Sequence, residues 1–341
     1  HGNIGTDITL NTVRGAGFEV GDILSVAITG QDEALSLPYG TGYSNVDQGS
    51  PLALDDTSAN TLAMAINRGD FATTYGLGVK DAEKSTYTMD TAKTIAISMG
   101  EKGGYLQEME LRAIDDKRTN NREDYASDEV FANFRAITVG DIKEGRLYRG
   151  SSPVNPELGR NTYADQLIKA AGVKAVLNLA DSEEVMKGYE GYADTYYATI
   201  PVKALNLGVD VKADDFNAGL KEGLVWLTEQ EGPWYFHCTE GKDRAGFVAA
   251  LLECLGGATL QDVVSDYMLS FENYYFVKAD TEQWSYIAQS NIEKSILDIT
   301  GAEDIEAAGK VDLQKAAETY LTETVGLTAE QVTALRDALT K

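Results

Sequence analysis

Residues 234–257 constrain this chain more than any other stretch. An apolar run, Trp234-Tyr235-Phe236, reads as a short buried strand. It leads into the loop His237-Cys238-Thr239-Glu240-Gly241-Lys242-Asp243-Arg244-Ala245-Gly246. Beyond the loop, Phe247, Val248, Leu251, Leu252 and Leu255 fall on one helical face, and Gly256-Gly257 ends the helix. A strand that passes through a polar, glycine-bearing loop into a helix is a building block of α/β domains.

The same layout dictates chemistry. A helix N-terminus presents unpaired backbone N–H groups and the positive end of the helix dipole. A loop that opens onto one is an anion site. A cysteine at the centre of such a field is expected as the thiolate, the nucleophilic form. Five residues separate Cys238 from Arg244. That length lets the chain curl around a tetrahedral phosphate and return a guanidinium as a bidentate clamp. Nucleophile, amide cradle (Thr239, Glu240, Gly241, Lys242, Ala245, Gly246) and clamp are thus encoded together.

The rest of the chain divides by pattern. Residues 1–118 read as a β-rich domain: Phe18–Ile28 is strand-like, and Thr94–Met99 with Tyr105–Ile114 reads as a hairpin around Gly-Glu-Lys-Gly-Gly. The polar stretch from Asp115 to Asp124 is the linker candidate. From residue 126 strands and helices alternate. Tyr163–Ala171 is helical, Val173–Leu179 a buried strand, Thr199–Val202 a short strand and Phe216–Thr228 an amphipathic helix. A last helix opens at Thr328, with Gln331 as its capping-box partner. The expected architecture is an α/β domain with a mostly parallel sheet flanked by helices, preceded by a smaller β-rich, barrel-like domain.

Charge narrows the partners. The formal net charge is −25, which repels nucleic acid and anionic membranes. Any phosphate site must therefore be a local concentration of positive potential. No apolar run approaches the roughly 20 residues of a membrane span. A leader trimmed before His1 would place the chain outside the cytoplasm; without one it is cytoplasmic. No cluster of residues has metal-ligand spacing, so neither metal nor cofactor is expected. Oligomeric state is left open.

The string HC-x-x-GKDR-x-G resembles the protein tyrosine phosphatase superfamily, in its bacterial branch acting on phosphotyrosine, phosphoserine/threonine and phosphoinositides. Asn133–Pro153, Val173–Val185 and Tyr320–Leu339 also resemble that family, so the likeness covers about residues 126–341. It implies a phosphomonoesterase working through a phosphocysteine, with Cys238 as nucleophile, Arg244 as clamp and His237 supporting the loop. The substrate implied is a phosphorylated protein, small molecule or lipid headgroup. A non-catalytic phosphate-binding module is the alternative.

The general acid is less plainly written. Where the family has Asp-Leu-Arg after a strand, this chain has Asn178-Leu179-Ala180-Asp181, so Asp181 is the first candidate, with Asp243 and Asp210 behind it. Asp243 could equally orient Arg244 or cap the helix, and Lys242 either reaches a second phosphate or is a solvated lysine. Cys254 reads as a core cysteine before a resolving thiol. Ala245 stands where the family carries Ser or Thr. In the first domain, Leu37–Gly49 and Ala63–Ala72 resemble the C-terminal domain of S-adenosylmethionine hydroxide adenosyltransferases, without the half that completes a nucleoside site. A scaffold or interaction role is expected there.

Overall fold

The computed structural model describes residues 2–81, 83–84, 86–114 and 117–341. The chain forms two compact units, His1–Ile114 and Asp115–Lys341. His1 and the linker residues Asp115 and Asp116 lie outside the described residues.

Among the described residues the smaller unit holds eight strands: β1 (Ile4–Thr9), β2 (Ile23–Ile28), β3 (Leu35–Gly40), β4 (Pro51–Asp56), β5 (Thr61–Ile66), β6 (Gly78–Asp81), β7 (Thr86–Met89) and β8 (Ile95–Glu101). Six of them form one sheet in the order β1-β5-β4-β3-β2-β8, while β6 and β7 pair separately. Only β3 and β4 run parallel within the larger sheet. Leu24, Val26, Leu37, Met64 and Phe71 share its core. Two expectations are corrected. The strand-like run from Phe18 begins only at Ile23, because Gly21 turns the chain at a φ of 97°. The second hairpin arm is instead a helix, Leu106–Arg112. Its Leu-Gln-Glu-Met-Glu-Leu-Arg residues are strong helix formers, and Glu108 and Arg112 pair one turn apart at 2.8 Å.

The larger unit is built on a five-stranded sheet of β9 (Arg135–Ala136), β10 (Leu147–Gly150), β11 (Ala175–Asn178), β12 (Val202–Ala204) and β13 (Trp234–His237), in the order β12-β11-β13-β10-β9. All pairings are parallel except that of β9 with β10. The strand expected at Thr199–Val202 lies later, because Tyr197–Thr199 forms a 3-10 turn whose preceding N–H groups are held by the Asp165 carboxylate. In register, Gly150, His237 and Asn178 stand side by side, so the carboxyl ends of three strands open at one level. That is where ligands bind in open parallel sheets.

Helices Asn161–Ala170, Asp214–Thr228, Asp243–Leu255, Leu260–Tyr275 and Ala329–Thr340 surround the sheet. Thr328 and Gln331 form the expected capping box. Helix Asp243–Leu255 is not one-sided: every residue from Ala245 to Leu255 is buried, since Leu260–Tyr275 and Leu313–Thr319 cover it from the other side. Nor are residues 117–125 a loose tether. The buried Arg160 guanidinium donates to the carbonyl of Thr119 (2.9 Å), to Asn120 Oδ1 (2.9 Å) and to the Tyr125 hydroxyl (3.0 Å), tying that stretch into the larger unit.

Candidate active site

The loop His237–Gly246 leaves the central strand at its carboxyl end and enters the helix at Asp243. Its carbonyls are the key to its shape. Those of five successive residues accept hydrogen bonds from outside the loop or from its supporting histidine. Cys238 O receives His237 Nδ1 at 3.0 Å and Thr239 O receives Ser152 N–H at 3.0 Å. Glu240 O receives the Tyr274 hydroxyl at 2.8 Å, and Gly241 O receives Arg149 Nη2 at 2.9 Å. Lys242 O lies 3.3 Å from the same Arg149 nitrogen. Asn133 Nδ2 reaches both Glu240 O and Gly241 O.

A planar trans peptide points its N–H away from its C=O. Carbonyls fastened outward therefore turn the following N–H groups inward. Among the described residues, none of the N–H groups of 239–242 donates a hydrogen bond within the protein. The helix N-terminus has no side-chain cap either. The N–H groups of residues 239–242 are thus unspent donors. Gly241 makes this possible: its φ is 70°, and a Cβ there would lie 2.0 Å from the Gly150 carbonyl oxygen. Gly246 is equally required, because a Cβ would meet the Tyr267 ring at 2.4 Å.

Cys238 is a buried free thiol. Its neighbour His237 is fully buried, and burial pushes the imidazole pKa down to about 4, so it is neutral at physiological pH. That settles its tautomer. The Cys238 carbonyl can only accept, so Nδ1 carries the proton, and Nε2 accepts from the Tyr197 hydroxyl at 3.0 Å. The ring thus links the backbone of Cys238 to the Tyr197 hydroxyl.

Arg244 donates through Nη1 to Leu207 O at 2.9 Å, which lays the segment carrying Asp210 beside the loop. Lys242 is enclosed. Its ammonium meets Tyr275 OH at 2.9 Å and Glu240 at 3.1 Å, and lies over the rings of Tyr275 (4.9 Å) and Phe271 (5.2 Å). Burial opposes its charge, but the carboxylates of Asp243 and Glu240 outweigh burial and raise its pKa above the ordinary lysine value. Glu240 also pairs with Arg118.

The three acid candidates differ sharply. Asp181 is 7% exposed, and both carboxylate oxygens are engaged: one accepts from Asn178 Nδ2 and the other from the Tyr189 hydroxyl, each at 3.0 Å. Asp243 has a side chain that is 59% exposed, on the first turn of the helix beside Arg244. Although its surface is open, the mass of protein behind it costs the carboxylate hydration, which raises its pKa; Lys242 and Arg244 pull the other way. Asp210 is exposed and accepts from the N–H of Lys212 at 3.0 Å. Cys254 is buried, and burial pushes its thiol up to about 12, as befits an inert core cysteine.

The sequence reading missed the buttress behind the loop. Asp266, on Leu260–Tyr275, pairs with Arg135 and Arg149 at 2.6 Å each. The two arginines hold its pKa below the usual range despite burial. Glu253 is buried next to them with neither carboxyl oxygen in hydrogen-bond geometry. Burial first, and the neighbouring Asp266 second, push its pKa well above the usual glutamate value. An arginine inside the apolar strand Leu147–Gly150 was the available signal for this cluster. Among the described residues no group of three or more His, Cys, Asp or Glu side chains could hold a metal, and no helix is long and apolar enough to cross a membrane. A cavity of about 720 Å³ belongs to the smaller unit, bordered by Tyr43, Arg68, Lys80 and Tyr87, and contains none of the predicted site residues.

Both units of the chain resemble known proteins. Residues 1–84 match the SAM hydroxide adenosyltransferase C-terminal domain. A tyrosine-protein phosphatase of Nostoc commune is 30% identical over 135 residues, which is 33% of this chain and 46% of that protein. The chain thus spans about half the length of that curated relative. Among solved structures, the core catalytic domain of the PP-IP phosphatase SIW14 from S. cerevisiae, in complex with citrate, is 20% identical. That match covers 46% of this chain and 83% of that one, with a TM-score of 0.28. P. aeruginosa TpbA is 17% identical, covering 61% and 96%, with a TM-score of 0.27. Residues 131–341, well over half of the chain, match the tyrosine phosphatase family, and the chain belongs to that family.

Proposed function

We propose that this chain hydrolyses phosphomonoesters through a phosphocysteine, with phosphotyrosine as the first substrate class to test. The observation that carries the reading is the row of outward-fastened carbonyls at 238–242, which leaves the intervening amides and Arg244 to receive an oxyanion around Cys238. In the first step the Cys238 thiolate attacks phosphorus. The S–P bond forms as the ester P–O bond breaks, and a carboxylic acid gives its proton to the leaving oxygen. In the second step water attacks phosphorus, its proton passes to the carboxylate, and the S–P bond breaks to return thiolate and inorganic phosphate. The cradle amides stabilise the equatorial oxygens throughout. No step needs a metal, so a chelator is expected to leave the rate unchanged.

Asp243 is the proposed acid. It stands on the loop with an open carboxyl and a raised pKa, whereas Asp181 spends both oxygens on Asn178 and Tyr189. Asp210 is the second reading, supported by the contact of Arg244 with Leu207. The smaller unit is proposed as a scaffold or interaction domain.

The test is an aryl phosphate assay on wild type, Cys238→Ser and the three Asp→Asn variants. Cys238→Ser should lose roughly 10⁴-fold or more in rate yet still bind vanadate. Near-wild-type turnover in that variant would defeat the covalent mechanism. Asp243→Asn should slow a poor leaving group by about 10²-fold or more and spare a good one. If only Asp210→Asn does so, the acid is on the neighbouring segment. If wild type binds phosphate without turnover, the chain is the non-catalytic module that the missing hydroxyl at Ala245 would suit.

A further inference from the structure

Glu240 is an acidic side chain on a loop built to bind an anion. It lies two residues from the nucleophile, its side chain is 17% exposed, and its backbone is pinned by Tyr274 and Asn133. Its carboxylate meets two cations, Lys242 and Arg118. We propose that Glu240 is a specificity-determining residue that makes this a one-phosphate site: it takes up the two rim cations that a second phosphate group on the same substrate would engage. The proposal rests on the phosphatase reading above and narrows it to monophosphate esters, against polyphosphorylated inositols.

Three observations support a role in selection over one in scaffolding. Lys242 does not need Glu240 to hold its position, because the Tyr275 hydroxyl and two aromatic faces already confine it. The cradle does not need it either, because the loop is fastened through its carbonyls and not through the Glu240 side chain. What the carboxylate changes is charge. Lys242 and Arg118 together carry two positive charges, and the Glu240 carboxylate pairs with both, which lowers the pull of that rim on a second anion. At 13% and 17% exposure the Lys242–Glu240 pair is screened by salt far less than a surface pair. A second phosphate would meet a carboxylate in place of an available ammonium.

The experiment compares kcat/KM for para-nitrophenyl phosphate and for a soluble inositol trisphosphate across wild type, Glu240→Gln and Glu240→Gln/Lys242→Met. Wild type should favour the monophosphate. Glu240→Gln, which keeps the shape and removes the charge, should move the ratio toward the trisphosphate by about tenfold or more. Adding Lys242→Met should take that gain away. A ratio that stays put in Glu240→Gln, or both substrates falling together, would overturn the proposal and leave Glu240 as loop structure. A wild type that already prefers the trisphosphate would also overturn it. Calorimetric titration of inorganic phosphate and inositol trisphosphate into Cys238→Ser, with and without Glu240→Gln, reads the same preference without turnover. If neither ester is hydrolysed the phosphatase reading fails, while the calorimetric ratio still decides the role of Glu240.

Discussion

The two units bury different things. In the smaller one, Asp22 and Asp55 are the only buried polar residues among those described, and the core is otherwise aliphatic and aromatic. In the larger unit Arg149, Arg160, His237, Glu253, Asn133 and Asp181 are all buried, and Arg149, His237 and Asn133 hold the loop after the central strand. Burying a polar group costs free energy unless it is paired. The smaller unit is therefore held mainly by the removal of apolar surface from water, while the larger unit sets part of its stability against the ordering of one loop. Polar burial concentrates where a backbone must be held in a shape it would not adopt alone.

The comparison breaks most visibly through matched arginines. Arg149→Met should cost about 3–5 kcal/mol in urea unfolding, because it leaves Asp266 and two loop carbonyls short of a buried partner. It should also abolish vanadate binding. Arg112→Met, which removes the exposed pairs with Glu108 and Asp47 in the smaller unit, should cost about 0–1 kcal/mol. Equal losses would show that the buried network is not special.

Trimming the chain sharpens the boundary of the network. Fragment 117–341 should fold and bind oxyanion. Fragment 126–341 removes Thr119, Asn120 and Tyr125 from buried Arg160 and should be less stable by roughly 1.5–3 kcal/mol. Identical melting of the two fragments would return residues 117–125 to the role of a linker.

Ala245 tests whether the site is tuned for speed as well as for binding. It is buried directly after Arg244 and has no hydroxyl to donate to the departing sulfur. In the proposed mechanism, loss of one such bond to a charged group should slow breakdown of the phosphocysteine by roughly tenfold to a hundredfold. A pre-steady-state burst of aryl alcohol is the expected trace, with Ala245→Thr raising the steady-state rate. A linear trace and an unaffected variant would show that breakdown is not limiting.

The smallest effect is a gain. Glu253 binds its proton more tightly folded than unfolded, so the stability of the native state is fullest at or below the ordinary glutamate value of 4.5 and drains as pH rises above it. Glu253→Gln should therefore raise stability by about 1 kcal/mol at pH 8 and by progressively less toward pH 5. A gain independent of pH would mean that the carboxyl is not the proton-binding group in question.

What was legible in the sequence follows from distance along the chain. The loop, its strand and its helix are contiguous, so Cys238, Arg244 and the cradle stood out from local pattern alone. The buttress is not contiguous: Arg149 and Gly241 are 92 residues apart, and Asn133 and Ser270 are 137 apart. Nothing local marks such partners apart from a charged residue in an apolar strand. Tyr105–Ile114 misled for another reason. Seven residues fit a period of two and a helical period about equally well, and the neighbouring Glu108–Arg112 pair decided for the helix. Asp181 stands out by its place after a strand, while its partners Asn178 and Tyr189 are visible only in the fold.

Because the cradle is fastened through main-chain carbonyls, its backbone does not depend on the side chains at 239 and 240. Substitution there alters what approaches the phosphate without loosening what holds it, whereas Gly241 and Gly246 tolerate no Cβ at all. Mutational robustness thus alternates residue by residue within one short loop. A lineage carrying this loop can drift between substrates by exchanging two half-buried side chains, at little cost to folding, while the chemistry stays where the backbone put it.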